Sequence, residues 1–318
     1  MNYTAPIQHQ LDACTQMLAT DLNHSNPLLN MALQTIKSGA GKMMRPILTL
    51  LSAQLFAPIA DEALHAAVAY EMFHTASLVH DDVVDESKQR RGHDSINHSE
   101  GNKVAVLVGD YILSITLQHI AATRNPRLID VMSRAASQLA NGELLQLQGT
   151  RTSSLDEATY TEIISCKTAA LFAACATSGA IVAGADEDNI QLMNRFGELT
   201  GLCFQIKDDL LDYSELDIGK PTGSDLAGGK LTLPIIYALQ QKPHELQPIV
   251  DAIHDGTATP GQITEAIATT RHAGGIDYAT QVMHRYASDA CQLLSPLPES
   301  PTKTALIEYV EQVTKRVK

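Results

Sequence analysis

LVHDDVVDESKQRRG, residues 78–92, places three aspartates in five positions and follows them with two adjacent arginines. The preceding stretch, DEALHAAVAYEMFHTASLVH over 61–80, is apolar on nearly every face. A helix of that kind lies in the middle of a bundle, not on its surface. The design recurs. Residues 188–211 form a second long, largely apolar helical pattern that ends in QIKDDLLDY, with Asp208, Asp209 and Asp212.

Both clusters read D-D-apolar-apolar-D. At 3.6 residues per turn, Asp81 and Asp85 share a face one turn apart, as do Asp208 and Asp212. Asp82 and Asp209 sit about 100° round the helix from their neighbours. Negative charge at a helix C-terminus opposes the macrodipole, at roughly 0.3–1 kcal/mol per exposed charge. Like charges one turn apart add repulsion. Such an arrangement requires a cation, and paired carboxylates with water suit Mg²⁺, which commonly bridges protein carboxylates to substrate phosphates. A single DDxxD is more often a solvated helix end; two copies, each closing a buried helix, favour a metal site. Neither has EF-hand spacing.

Basic residues accompany the carboxylates. Arg90 and Arg91 precede Gly92. Lys42 and Arg45 lie in GAGKMMRP, which lacks the spacing of a Walker A loop. Lys167 and Thr168 open an uncharged, small-residue stretch. Lys220 and Lys230 lie in GKPTGSDLAGGK. Each alone reads as a solvated charge or a flexible loop. Together they supply the forks and point charges that bind phosphate.

The rest of the chain bounds the answer. Its 318 residues are 44% hydrophobic and 19% charged, enough for a sizeable core. Aromatics are sparse, whereas Ala, Leu, Gln and Met abound, which favours helix. A net charge of −13 argues against a nucleic-acid partner. Five scattered cysteines without ligand spacing read as reduced thiols of a cytoplasmic protein. Residues 168–185 are uncharged but built from Ala, Gly, Ser and Thr, so a tightly packed core helix is expected there, not an integral membrane segment. Helices are expected over 6–22, 27–37, 44–56, 61–85, 102–123, 127–149, 155–165, 168–184, 188–214, 231–240, 245–255, 261–271, 275–293 and 302–316. The breakers between them include Asn26-Pro27, Pro260-Gly261 and Gly274-Gly275.

Seven segments, in order, now carry a resemblance: GKMMRP, EMFHTASLVHDDVVDESKQRRG, GNKVAVLVGDYIL, NGELLQLQ, SCKTAALF, FQIKDDLLDY and GKPTGSDLAGGKLTLPI. The chain resembles the trans-polyprenyl diphosphate synthases of the long-chain bacterial type, from about residue 30 to its end. The resemblance implies an all-α, isoprenoid-synthase-type helical bundle, a single domain over 1–318, built around a deep apolar central cavity with the two aspartate motifs facing each other. It implies head-to-tail condensation of isopentenyl diphosphate onto an allylic diphosphate, farnesyl diphosphate being the expected primer. By the resemblance, Asp81, Asp85 and Asp208 hold Mg²⁺, three ions once substrate is bound. Asp212 is a further metal candidate, and Asp82 and Asp209 lend support. Arg90 reaches the allylic diphosphate. Lys42, Arg45, His74 and Arg91 bind isopentenyl diphosphate. Lys167, Thr168, Gln205 and Lys220 surround the allylic diphosphate, with Lys230 a weaker candidate. GKMMRP departs from the family pattern at Met43, where a second basic residue often stands.

Helix geometry supports two of these roles. His74 lies seven residues before Asp81 on nearly the same face, and Gln205 stands one turn before the second cluster. Product length is expected to follow α-helical positions before Asp81. Ala76 and Ser77 are small where short-chain relatives carry a bulky aromatic, so Phe73, Met72 or Tyr70 would form a deeper floor and the product would be near C40. The alternatives are a C15–C20 synthase, a catalytic subunit of a heteromeric synthase, a noncatalytic partner subunit, and a terpene cyclase, which needs only one diphosphate. A homodimer and peripheral membrane contact are further expectations.

Overall fold

The computed structural model describes residues 3–39, 41–150, 155–214 and 222–316. It is all-α, 79% helical. The helices are α1 (Gln8–Asp21), α2 (Pro27–Ser38), α3 (Met44–Gln54), α4 (Asp61–Val84), α5 (Ile96–Glu100), α6 (Asn102–Ala122), α7 (Pro126–Thr150), α8 (Glu157–Ile164), α9 (Ala170–Val182), α10 (Glu187–Leu211), α11 (Ser224–Ala227), α12 (Leu233–Gln241), α13 (Pro243–His254), α14 (Pro260–His272), α15 (Gly275–Leu293) and α16 (Pro301–Lys315). Among the described residues the sheet is a single hairpin of β1 (Gln89–Arg90) and β2 (His93–Asp94).

Every segment expected to be helical is helical, because the punctuation is local. Asn26 accepts from the backbone N–H groups of Leu28 and Leu29, with Pro27 as the first helical residue. Thr259 and Gln262 form a reciprocal capping box ahead of α14. Three features were not anticipated: the hairpin, and the short helices α5 and α11. A fourth corrects a boundary. The gap expected between 165 and 168 is no gap. Ser165–Ala169 is a π-helical turn that carries the chain from α8 into α9 without a break. Such widened turns project side chains that a regular helix would bury.

The chain forms two compact units. One comprises Met1–Ser133, Ala174–Asn194 and Pro298–Leu306; the other comprises Arg134–Ala173, Arg195–Leu297 and Ile307–Lys318. In the first, α4 packs against α1, α3 and α6. It is buried around its circumference, as its composition requires: Ala66, Val68, Tyr70 and Met72 are all enclosed. The Tyr70 hydroxyl shares a 2.6 Å hydrogen bond with Ser178 Oγ on α9, which satisfies its polar end. Among the described residues, two helices are long and apolar enough to cross a membrane by composition. Of these, Glu157–Val182, which holds the uncharged stretch, has 83% of its apolar window buried, as a core helix does.

In the second unit, α12 packs on α8, α13, α14 and α15 around Leu246, Ile249 and Val250. The part of α10 here lies unusually close to the π turn. A methyl group at Gly201 would stand 2.5 Å from Ala169 Cα. Phe172 and Phe204 pack beside it, with ring centroids 5.1 Å apart. Replacing Gly201 with Ala therefore forces two backbones apart. We expect a loss of about 1–3 kcal/mol, read as a lower midpoint in urea denaturation.

Candidate active site

The first aspartate cluster closes α4. Asp82 is buried, and its Oδ1 accepts from Arg90 Nε at 2.9 Å and from a terminal guanidinium nitrogen. Asp81 is half-buried and Asp85 is exposed. The helix ends without a basic residue in its last turn, so the compensating charge comes from the chain that follows. That chain is pinned in place. Asn97 Nδ2 donates to the carbonyls of Asp82 and Ser87, at 2.9 and 3.0 Å, and Ser95 Oγ donates to Ser87 at 2.5 Å. These two residues of SINHSEGN were not anticipated, since nothing in the sequence shows where their short side chains reach.

The hairpin explains Arg-Arg-Gly. Its two-residue turn is Arg91-Gly92, with φ of 52° and 81°. Two successive positive φ values are what a tight hairpin turn requires. Glycine takes that conformation freely, whereas Arg91 is strained in it. Arg91 thereby reaches back to the Gly39 carbonyl, 2.6 Å away, and its guanidinium lies against Gly41. The glycine-rich loop of GAGKMMRP and the second arginine of the hairpin thus meet. Met43 caps α3 in the left-handed region, φ 55°. Lys42 is exposed, and Arg45 is buried in the first turn of α3.

Glu71, missed from the sequence, is buried on α4 three residues before His74. Burial raises its pKa, and the charges of Arg45 and Arg91 pull it back down. The two arginines are the nearby positive charges that offset its burial. His74 is held well below the usual imidazole range by burial and by Arg45, Arg91 and Arg90, so it is neutral at pH 7. A buried acid inside an otherwise apolar helix was the available signal for Glu71.

A cavity of about 430 Å³ adjoins these groups. Leu18, Leu22, Met43, Met72 and Val79 supply apolar wall, and Arg90 and Arg91 also line it. Of the positions expected to set product length, Met72 lines it, whereas Phe73, Ala76 and Ser77 do not. Ser77 donates its hydroxyl to the His74 carbonyl at 2.9 Å.

The second cluster closes α10 on the same plan. Asp209 is buried and fully used: Tyr160 donates to Oδ2 at 2.5 Å and Gln205 Nε2 to Oδ1 at 2.9 Å. Gln205 Oε1 in turn accepts from Thr168 at 2.7 Å. Burial pushes the Asp209 carboxyl up to about 7, and the two donors hold it from rising further. Asp208 is exposed and its Oδ1 accepts from Arg316 at 2.9 Å. Asp212 behaves differently from Asp85. It is buried and takes hydrogen bonds from Ser224 Oγ at 3.0 Å and from the Asp225 N–H. Its carboxylate caps α11, and burial together with Asp225 raises its pKa.

Lys167, in the π turn, donates to Glu143 at 2.7 Å and to Gln146 at 3.3 Å. These are the polar residues of NGELLQLQ on α7. They come within reach because α7 is nearly touching there: a methyl at Gly142 would lie 2.6 Å from the Lys167 nitrogen. Lys230 is half-buried after α11, its N–H bonded to the Asp225 carbonyl at 2.9 Å. Lys220 lies outside the described residues. Tyr160, Glu143, Gln146 and Arg316 were not anticipated. Tyr160 has a weak sequence signal, two helical turns before Lys167; Arg316 has none.

The family model for polyprenyl synthetases matches residues 26–270. The chain belongs to the polyprenyl synthetase family. It is 36% identical to the octaprenyl diphosphate synthase of Haemophilus influenzae, over 92% of this chain and 89% of that one. A polyprenyl synthase from Caulobacter crescentus, crystallised with calcium and isoprenyl diphosphate, superposes with a TM-score of 0.94 at 29% identity, covering 99% of this chain and 97% of that one. A geranylgeranyl pyrophosphate synthase from Bacteroides thetaiotaomicron is 40% identical with a TM-score of 0.87, covering 98% of each. The protein is a trans-prenyltransferase of the polyprenyl synthase type.

This polyprenyl synthase has donor sets that fit divalent ions. Asp85 and Asp208 are exposed and Asp81 is half-buried, each beside a buried, hydrogen-bonded aspartate. No three His, Cys, Asp or Glu side chains among the described residues form a closed metal cage. Mg²⁺ needs none, because it is held by one or two carboxylates, waters and substrate phosphates. Tyr160 can be tested without metal. A hydrogen bond donated to a carboxylate favours its charged form, so Tyr160→Phe should move the Asp209 pKa above about 7. Carboxyl ¹³C NMR titration of the metal-free variant against wild type reads that shift.

Proposed function

We propose that this synthase condenses isopentenyl diphosphate head-to-tail onto an allylic diphosphate, primed by farnesyl diphosphate, to an all-trans product near C40. One synthase domain spans 1–318 on this reading. The observation that carries it is the repeated division of labour in the two clusters. In each, the middle aspartate is buried and satisfied by protein donors, Asp82 by Arg90 and Asp209 by Tyr160 and Gln205. The flanking Asp85 and Asp208 are exposed and Asp81 is half-buried.

Mg²⁺ held by Asp81, Asp85 and Asp208 would supply positive charge where charge develops on the departing diphosphate. The chain's own groups do the rest. Lys167 and Arg90 add cationic donors for that diphosphate. Arg45, Arg91 and Lys42 take the diphosphate of the second substrate, and Glu71 keeps the first two from repelling each other. The allylic C–O bond breaks, the alkene of isopentenyl diphosphate forms a bond to the cationic carbon, and a proton leaves carbon 2 to the departing diphosphate. Holding the two reactants together lowers the entropic part of the barrier. The amide of Gln205 offers a dipole to the cation while being too weak a nucleophile to be alkylated readily. Apolar walls keep water from the cation.

Arg45, Arg91 and His74 around Glu71 make a second diphosphate site, which distinguishes this reading from a terpene cyclase. Retention of both clusters and this basic set also sets it apart from a noncatalytic subunit. A shorter C15–C20 product is the second reading, favoured by the 40% identity to the Bacteroides enzyme; the small Ala76 and Ser77 favour the longer one. The exposed Val106, Leu107 and Leu117 of α6 support a homodimer. The protein is proposed to be cytoplasmic, touching membranes only peripherally through its lipid product.

Mass analysis of the product made by purified protein from labelled isopentenyl diphosphate, farnesyl diphosphate and Mg²⁺ is the direct test. Products of C35 or longer are expected, whereas accumulation of C15 or C20 alone would overturn the long-chain reading. Activity without a second subunit is expected in the same assay. Ala76→Phe should shorten the product. Asp81→Asn and Asp208→Asn should each lower kcat/KM by about 10² or more with unchanged helicity, measured by steady-state kinetics and circular dichroism.

A further inference from the structure

Arg316 follows α16 and is the group that answers the exposed charge of Asp208. Its guanidinium donates to Asp208 Oδ1 at 2.9 Å and to the Phe204 carbonyl at 3.0 Å. It lies over the Phe204 ring, 3.7 Å from the centroid. The arginine side chain is 12% exposed against 55% for Asp208. The cation is therefore held by a ring and a carbonyl as well as by the more exposed carboxylate. Burial draws the Arg316 pKa down and Asp208 draws it up. Lys207 is close enough that Arg316 adds to the effect of burial in lowering its pKa.

We propose that Arg316 is the resident counter-cation of Asp208, which weakens the second cluster's affinity for free divalent ions and turns to the diphosphate when substrate arrives. This rests on the metal role assigned above to Asp208. The argument is electrostatic. A divalent ion at Asp208 must share the carboxylate with a guanidinium held in hydrogen-bonding contact, and like charges this close repel strongly where water is partly excluded. A diphosphate reverses the sign. It brings acceptor oxygens that match the planar fork of an arginine, so Arg316 then has a better partner and the carboxylate is released to the ion. Metal would thus enter together with substrate. A merely structural Arg316, tethering α16 to α10, would affect stability but not metal affinity.

The test uses the full chain carrying Asp81→Asn and Asp85→Asn, so that bound ions report the second cluster. Mn²⁺ binding is followed by electron paramagnetic resonance of the free ion, with and without inorganic pyrophosphate. Arg316→Gln and Arg316→Met remove the charge, the latter keeping apolar cover over Phe204; Arg316→Lys keeps the charge. Without pyrophosphate, both neutral variants should bind Mn²⁺ at least about threefold more tightly than the parent, and the lysine variant should not. With pyrophosphate that advantage should vanish or reverse. Equal or weaker Mn²⁺ affinity in folded neutral variants overturns the proposal and leaves Asp208 a metal ligand. Absence of Mn²⁺ binding in every variant, even with pyrophosphate, overturns the metal role of Asp208 and this proposal together.

Discussion

Carboxylates at the C-terminal end of a buried helix are in the wrong place electrostatically, and the local structure around both aspartate clusters is organised to offset that cost. Neither α4 nor α10 has a basic residue in its last turn. The compensation is therefore imported. Arg90 comes back from a hairpin eight residues later to bind Asp82. Tyr160 and Gln205 satisfy Asp209, and Arg316 meets Asp208. In each cluster the middle aspartate faces inward and is neutralised or satisfied by protein. Of the outer ones, Asp85 and Asp208 are exposed and Asp81 is half-buried. The one helical spacing thus serves an anchoring residue on one face and, on the proposed reading, metal-binding residues on another. The second copy uses this scheme less fully, since Asp212 is consumed in capping α11.

Close backbone approach does the positioning. Around the π turn, Gly142 on α7 and Gly201 on α10 leave no room for a side chain. The short distances let Lys167 reach Glu143 and let Thr168 reach Gln205. The turn itself breaks the regular helical ladder just where two site residues emerge. In the other unit the same end is reached by strain. Arg91 is held in a conformation that suits glycine, and the hydrogen bonds of Asn97 and Ser95 keep the loop that imposes it in place. In both places local cost is borne by a rigid surround, as is common where chemistry is done.

Glu71 is a buried acid placed among the bases of the first unit. Arg45, Arg91 and Arg90 all depress the pKa of His74, so their fields overlap there. Without a buried counter-charge, the cost of assembling them before substrate arrives would fall on folding. Arg316 has the converse role beside the acid cluster. Each charge constellation thus carries a partner of the opposite sign within the protein.

The sequence by itself determined the helices, their caps and the two aspartate clusters, because these are set by contacts within a few residues: hydrophobic period, proline and asparagine at starts, glycine at ends. It also made the basic set of the family legible. Only the tertiary structure decided which carboxylates remain available. Arg316 meets Asp208 across 108 positions, and Tyr160 meets Asp209 across 49; no local pattern encodes such pairs. The fate of Asp212, the placing of Glu71 among arginine charges, and the hairpin that turns Arg91 back on Gly39 belong to the same class. Their energy depends on distance in space and on exclusion of water, and a spacing along the chain carries neither.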